Sequence, residues 1–128
     1  MKKSILADKS FDFAVRIVKV YRYLCIEKNE YVLSKQLERS GTAIGALISE
    51  GVFAESKADF VHKYGIAQKE CNETIYWLRL LNATDFINQK EFESLSDDAT
   101  ELIKMITASI LTAKRSINSK RKPPENND

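Results

Sequence analysis

An all-α, antiparallel up-and-down four-helix bundle is the fold this sequence predicts, and three observations predict it. Apolar residues recur at threes and fours through four blocks of about 20–30 residues, the period of a helix with one face inward. The only two prolines are adjacent, at Pro123 and Pro124, so nothing interrupts a helix before the C-terminal end. β-branched residues are present, but at helical spacing, and no strand signal competes. A chain of 128 residues with 44% apolar and 30% charged side chains fits one domain around one core.

The first helix is expected to start near Asp8 or Ser10 and run to about Lys28. Phe11, Ala14, Val18, Tyr21 and Cys25 share one stripe, and Phe13, Ile17, Val20 and Leu24 a second beside it. Together they cover roughly 200° of the cylinder, about twice what a core-facing helix needs. The surplus is assigned to Phe13, Ile17, Val20 and Leu24, as the interface of a homo-oligomer. The alternative is a monomer that wraps this surface with its own chain.

The second helix is placed from Leu33 to Glu55, with Leu33, Leu37, Ile44 and Ile48 inward. It carries Gly41, Gly45 and Gly51, three of the four glycines. Each costs up to about 1 kcal/mol relative to alanine. Gly41 and Gly45 are one turn apart, so they are read as a close-approach face for another helix. Ser56 is expected to cap a third helix that ends near Leu81, with Asp59 placed to complete a capping box. Its core stripe includes Phe60, Tyr64, Ala67, Cys71 and Leu78. The fourth helix is expected from about Asn88 to Ser119, leaving residues 120–128 as a polar, basic tail outside the 1–119 bundle.

The chemistry-bearing residues are few. His62 is the only histidine, and a dimetal carboxylate site needs two such motifs, so no metal is expected. Ser40-Gly41-Thr42 lacks the lysine and strand of a phosphate loop. No CxxC is present, and Cys25 and Cys71 are read as buried reduced thiols. Glu70 and Glu73, with Glu50, lack a nucleophile, so catalysis and cofactors are not expected. Ser40, Thr42, Glu50, Glu70, Glu73 and Tyr76 are instead grouped as a structural polar network, with Arg39 or Arg79 as ion-pair partners. Tyr76-Trp77 is weighed as a stacking platform for bases and read as packing. MKKSILADKSF is too polar for a signal peptide, and no run reaches a membrane span.

Net charge is only +2, but it is unevenly placed. Residues 1–28 hold seven Lys/Arg against three Asp/Glu, residues 83–111 two against six, and residues 112–128 five against two. Arg16, Lys19 and Arg22 on the first helix, with Lys114, Arg115, Lys120, Arg121 and Lys122 at the end of the fourth, are the candidate nucleic-acid contacts. The competing reading is a protein-interaction scaffold on which these charges are simply solvated.

QLERSGTAIGALISEG followed by SKADFVHKYGIAQKECNETIYWLRLL resembles a small bacterial family of four-helix bundles. Its members include proteins encoded in intervening sequences of 23S rRNA genes, some labelled ribosomal proteins. The resemblance rests on Ser40, Gly41, Thr42, Ile44, Gly45, Ala46 and Glu50, then on Lys57, Ala58, Asp59, Phe60, Ala67, Glu70, Glu73, Tyr76, Trp77 and Leu78. Leu47 departs from the pattern, where relatives commonly carry a polar Asn. The resemblance implies a barrel-like homopentamer, a cytoplasmic location and no known catalysis. Other relatives of this fold are accessory nucleic-acid-binding subunits beside a reverse transcriptase, and structured RNA is the partner it favours here.

Overall fold

Ser4, not Asp8 or Ser10, opens the first helix: its Oγ accepts from the Ala7 N–H at 3.1 Å. In the computed structural model, which describes residues 4–121, α1 then spans Ile5–Lys28. Ser10 is passed over as a cap because it is buried mid-helix, facing the second helix. Asn29 ends α1 in the left-handed region, at φ 53°, which a short amide side chain tolerates.

The next helix, α2 (Leu33–Val52), has no capping side chain at its own N-cap, Val32. Glu30 does the work from two residues earlier. Its carboxylate accepts from the N–H groups of Val32 at 3.1 Å, Leu33 at 2.8 Å and Ser34 at 2.7 Å, satisfying donors a helix start leaves orphaned. α2 ends at Val52, three residues before the expected end. The chain reverses through Phe53 and Ala54, and Ser56 Oγ accepts from Asp59 N–H at 3.1 Å to start α3 (Lys57–Ala83). Asn88 Oδ1 accepts from Glu91 N–H at 2.8 Å and starts α4 (Gln89–Arg121).

α4 therefore continues through Lys120 and Arg121, which the sequence reading placed in the tail. Lys122 and the remainder of the expected tail lie outside the described residues. No strand forms among the described residues, and no helix is long and apolar enough to cross a membrane.

Consecutive helices pack side by side, and the pairings are ordered. Along α1 and α2, Ser10 lies against Gly45, Ile17 against Gly41 and Cys25 near Ser34. Between α2 and α3, Arg39 meets Glu70, Ser40 meets Thr74 and Gly51 meets Tyr64. α3 meets α4 through Gln68 and Thr107 at 2.7 Å, and α1 and α4 touch only sparsely. The expected glycine face is present. A Cβ on Gly41 would stand 2.8 Å from Ile17 Cγ1, and one on Gly45 would stand 3.3 Å from the Ser10 carbonyl oxygen.

The core corrects the sequence reading of α1. Phe13, Ile17, Val20 and Leu24, assigned above to an oligomer interface, are 2%, 0%, 6% and 0% exposed within the single chain. They pack with Leu37, Ile44, Ile48, Leu78 and Leu102. Of the other stripe only Phe11 stands in solvent, at 67% exposed, while Ala14, Val18, Tyr21 and Cys25 are half-buried; Val15 and Ile26, which belong to neither stripe, are exposed as well. Both stripes are apolar, so hydrophobicity does not rank them. The close seat that Gly41 offers Ile17 does.

Candidate nucleic-acid interface

Among the candidates whose side chains the structure describes, Arg16, Lys19, Arg22, Lys114 and Arg115, not all are free cations. Arg16 is engaged inside the chain: Nη1 donates to Asp98 Oδ2 at 2.6 Å and Nη2 to Ser94 Oγ at 3.0 Å. With the Lys9–Glu101 pair it bridges α1 to α4, across a cleft of about 240 Å³ floored by Phe13 and Leu102. This removes Arg16 from the set of free cations, because acids at 98 and 101 fall opposite basic residues at 16 and 9. Lys19 and Arg22 remain exposed, and Arg22 lies in line with Phe11, Val15 and Ile26 on the outer side of α1.

On α4, Lys104, Lys114 and Arg115 are exposed, and none has a carboxylate partner among the described residues. Lys120 and Arg121 continue the same helix. The acidic residues Glu91, Glu93, Asp97, Asp98 and Glu101 all precede them. α4 is thus acidic where it faces α1 and basic beyond the start of α1.

The polar network foreseen around Ser40 divides into separate parts. The hydroxyls of Ser40 and Thr74 are fully buried and hydrogen-bonded at 3.0 Å, and Thr74 donates on to the Glu70 carbonyl at 2.7 Å. Arg39 holds Glu70 at 3.3 Å and Glu73 at 2.5 Å, and Trp77 Nε1 donates to Glu73 at 3.3 Å. Glu50 pairs instead with Lys63, at 3.2 Å. Thr42 donates to the Glu38 carbonyl of its own helix at 2.7 Å, so it ties nothing together. Tyr76 is exposed and stands edge-on to Trp77, with ring centroids 5.0 Å apart. Thr42, Glu50 and Tyr76 are therefore not members of a common network.

Environment separates the two glutamates. Burial pushes Glu70 above the usual carboxylate range, outweighing the nearby Arg39. The Arg39 guanidinium holds Glu73 below it. Burial raises the Cys71 thiol to about 12, which leaves it protonated and inert. Glu30 was missed from sequence. Burial raises its pKa, but the three N–H donors at the start of α2, Leu33 foremost, bring it below the ordinary value. The only sequence signal was a Glu just ahead of an uncapped helix start. His62 is exposed, and no group of metal-ligating side chains occurs among the described residues.

Residues 2–108 match the family described as 23S rRNA-intervening sequence protein. Among solved structures, the chain is similar to a protein of unknown function from the S23 ribosomal protein family of Bacteroides thetaiotaomicron. The two share 50% identity over 83% of this chain and 98% of that chain, with a TM-score of 0.82. A search of curated proteins returned no match.

Proposed function

The chain belongs to the 23S rRNA-intervening sequence protein family, and from that premise we propose a non-enzymatic, cytoplasmic, antiparallel bundle that assembles with copies of itself and associates with structured RNA. One observation carries the RNA reading. From Leu102 to Lys122 the sequence holds six Lys/Arg and no Asp or Glu, and Lys104, Lys114 and Arg115 there are exposed. Such a cationic stretch binds phosphates with little sequence preference, by releasing condensed counterions. Repetition around an oligomer multiplies it, and the family resemblance makes a pentamer the assembly to test. The exposed α1 stripe of Phe11, Val15 and Ile26 supports self-association. It equally favours the second reading, a homo-oligomeric scaffold for another protein.

Binding of the purified protein to a fluorescent structured RNA across a salt series tests the proposal. Affinity is expected to fall steeply with salt, and the slope should drop by about one for each of Lys114→Gln and Arg115→Gln. No binding at low salt would leave the scaffold reading. Sedimentation of Phe11→Glu against wild type then decides whether the outer α1 stripe is the assembly surface, through a fall in mass.

A further inference from the structure

Arg39 on α2 faces two carboxylates of α3 at once. Nη1 meets Glu70 at 3.3 Å, Nη2 meets Glu73 at 2.5 Å, and Nε donates to Gln36 at 3.4 Å. Glu73 Oε1, the oxygen that takes Nη2, also accepts the indole N–H of Trp77 at 3.3 Å. Trp77 in turn meets the exposed Tyr76 ring edge-on. A continuous line of contacts therefore runs from Glu70 through Arg39, Glu73 and Trp77 to Tyr76. Tyr76 forms one wall of a surface hollow of about 360 Å³, which it shares with Arg79 and Phe92.

One cation between two carboxylates leaves one negative charge over, and the two carboxylates are not equivalent. The Glu70 side chain is 17% exposed, that of Glu73 35%. Burial first, and the charge of Glu73 beside it, push Glu70 above the usual carboxylate range against the pull of Arg39. The bond from Arg39 holds Glu73 below that range. Acidification therefore neutralises Glu70 first and leaves Glu73 ionised. Arg39 and Glu73 are the charges that act on Glu70. Cys71, the next residue, keeps its proton, because burial raises its thiol to about 12. The Glu50–Lys63 pair is the next ion pair along the seam, two turns away on α3. α4 packs on α3 at Gln68, two residues before Glu70 and so on nearly the opposite side of the helix, and α1 stands diagonal to α3. Beneath the cluster Ser40 and Thr74 are fully buried and bonded at 3.0 Å, which pins the two helices. A change of charge above them moves side chains and leaves the seam closed.

We propose that this line is a proton-responsive relay: uptake of one proton by Glu70 releases Arg39 onto Glu73 alone, displaces the Trp77 N–H from Glu73 Oε1, and re-sets the Tyr76–Trp77 pair that walls the surface hollow. The proton comes from solvent. The indole bond is the one that yields, because it is longer than the charge-assisted bond from Arg39 to the same oxygen. Trp77 is the only tryptophan of the chain, so its emission and its indole N–H resonance report the last step directly. A clamp with a structural role alone would titrate at Glu70 without moving the indole.

The test is a titration of the full chain from about pH 7 to about pH 4, across the ordinary carboxylate values, followed by NMR and by Trp77 emission. The Glu70 carboxyl carbon and the Trp77 indole N–H should shift with one common midpoint, above the ordinary glutamate value, while far-UV circular dichroism stays constant. Glu70→Gln should hold the indole at its acid position throughout. Arg39→Gln should uncouple the two, so that Glu70 titrates with the indole unmoved. Separate midpoints for Glu70 and the indole in wild type, an indole that does not move, or an indole transition that survives Glu70→Gln overturns the proposal. The wild-type midpoints decide it where a variant does not fold.

Discussion

Between α1 and α2 two glycines let the helices come close; between α1 and α4 two ion pairs span a cleft of about 240 Å³. At the first contact Gly45 faces the Ser10 carbonyl and Gly41 seats Ile17. At the second, Lys9–Glu101 and Arg16–Asp98 bridge over Phe13 and Leu102, with each ionic side chain more than a third exposed. Close apolar packing stabilises through dispersion and excluded water, whereas exposed ion pairs give back most of their Coulomb gain to solvation and side-chain ordering. α1 and α2 therefore form the firm half of the molecule, and the α1–α4 seam is its adjustable edge.

The sharpest way to break this contrast is inside the firm half. Ile17→Ala should cost about 2–5 kcal/mol in denaturant unfolding, because it removes a fully buried side chain from its glycine seat. Assembly mass should stay unchanged. A drop in mass with stability preserved would return Ile17 to the interface role first given it.

A smaller effect is expected at the corner joining α1 to α2. Glu30→Gln should cost about 1–3 kcal/mol near neutral pH, since the amide weakens a carboxylate that answers three N–H groups. The folded pKa of Glu30 lies below its ordinary value, so this stabilisation is present above the unfolded carboxylate pKa and lost as pH falls through the folded one. The gap between wild type and Glu30→Gln should close on acidification. A gap that is constant with pH would mean that the charge contributes nothing.

The least effect belongs to the seam. Arg16→Gln should cost no more than about 1 kcal/mol, and less still in high salt. A larger loss that is insensitive to salt would show the seam to be as firm as the α1–α2 contact.

Several features were legible in the residues because their causes are local. Ser56 caps the helix it was expected to cap, and Gly41 with Gly45 mark the close contact they were expected to mark. The ends of α2 and α4 were less so. The turn at Phe53 forms where Gly51 packs on Tyr64, a contact between two helices. Of the candidate site, the basic run of α4 could be read directly from the sequence. The engagement of Arg16 could not, since Asp98 is 82 residues away.

The sequence by itself determined four helices, their period, the glycine face and the segregation of charge along the last helix. Each follows from neighbours within a few residues. Tertiary structure alone decided which of two apolar stripes of α1 turned inward and that Arg16 closed a seam. Periodicity fixes the angles between side chains on one helix, but leaves the rotation of that helix to whatever packs against it.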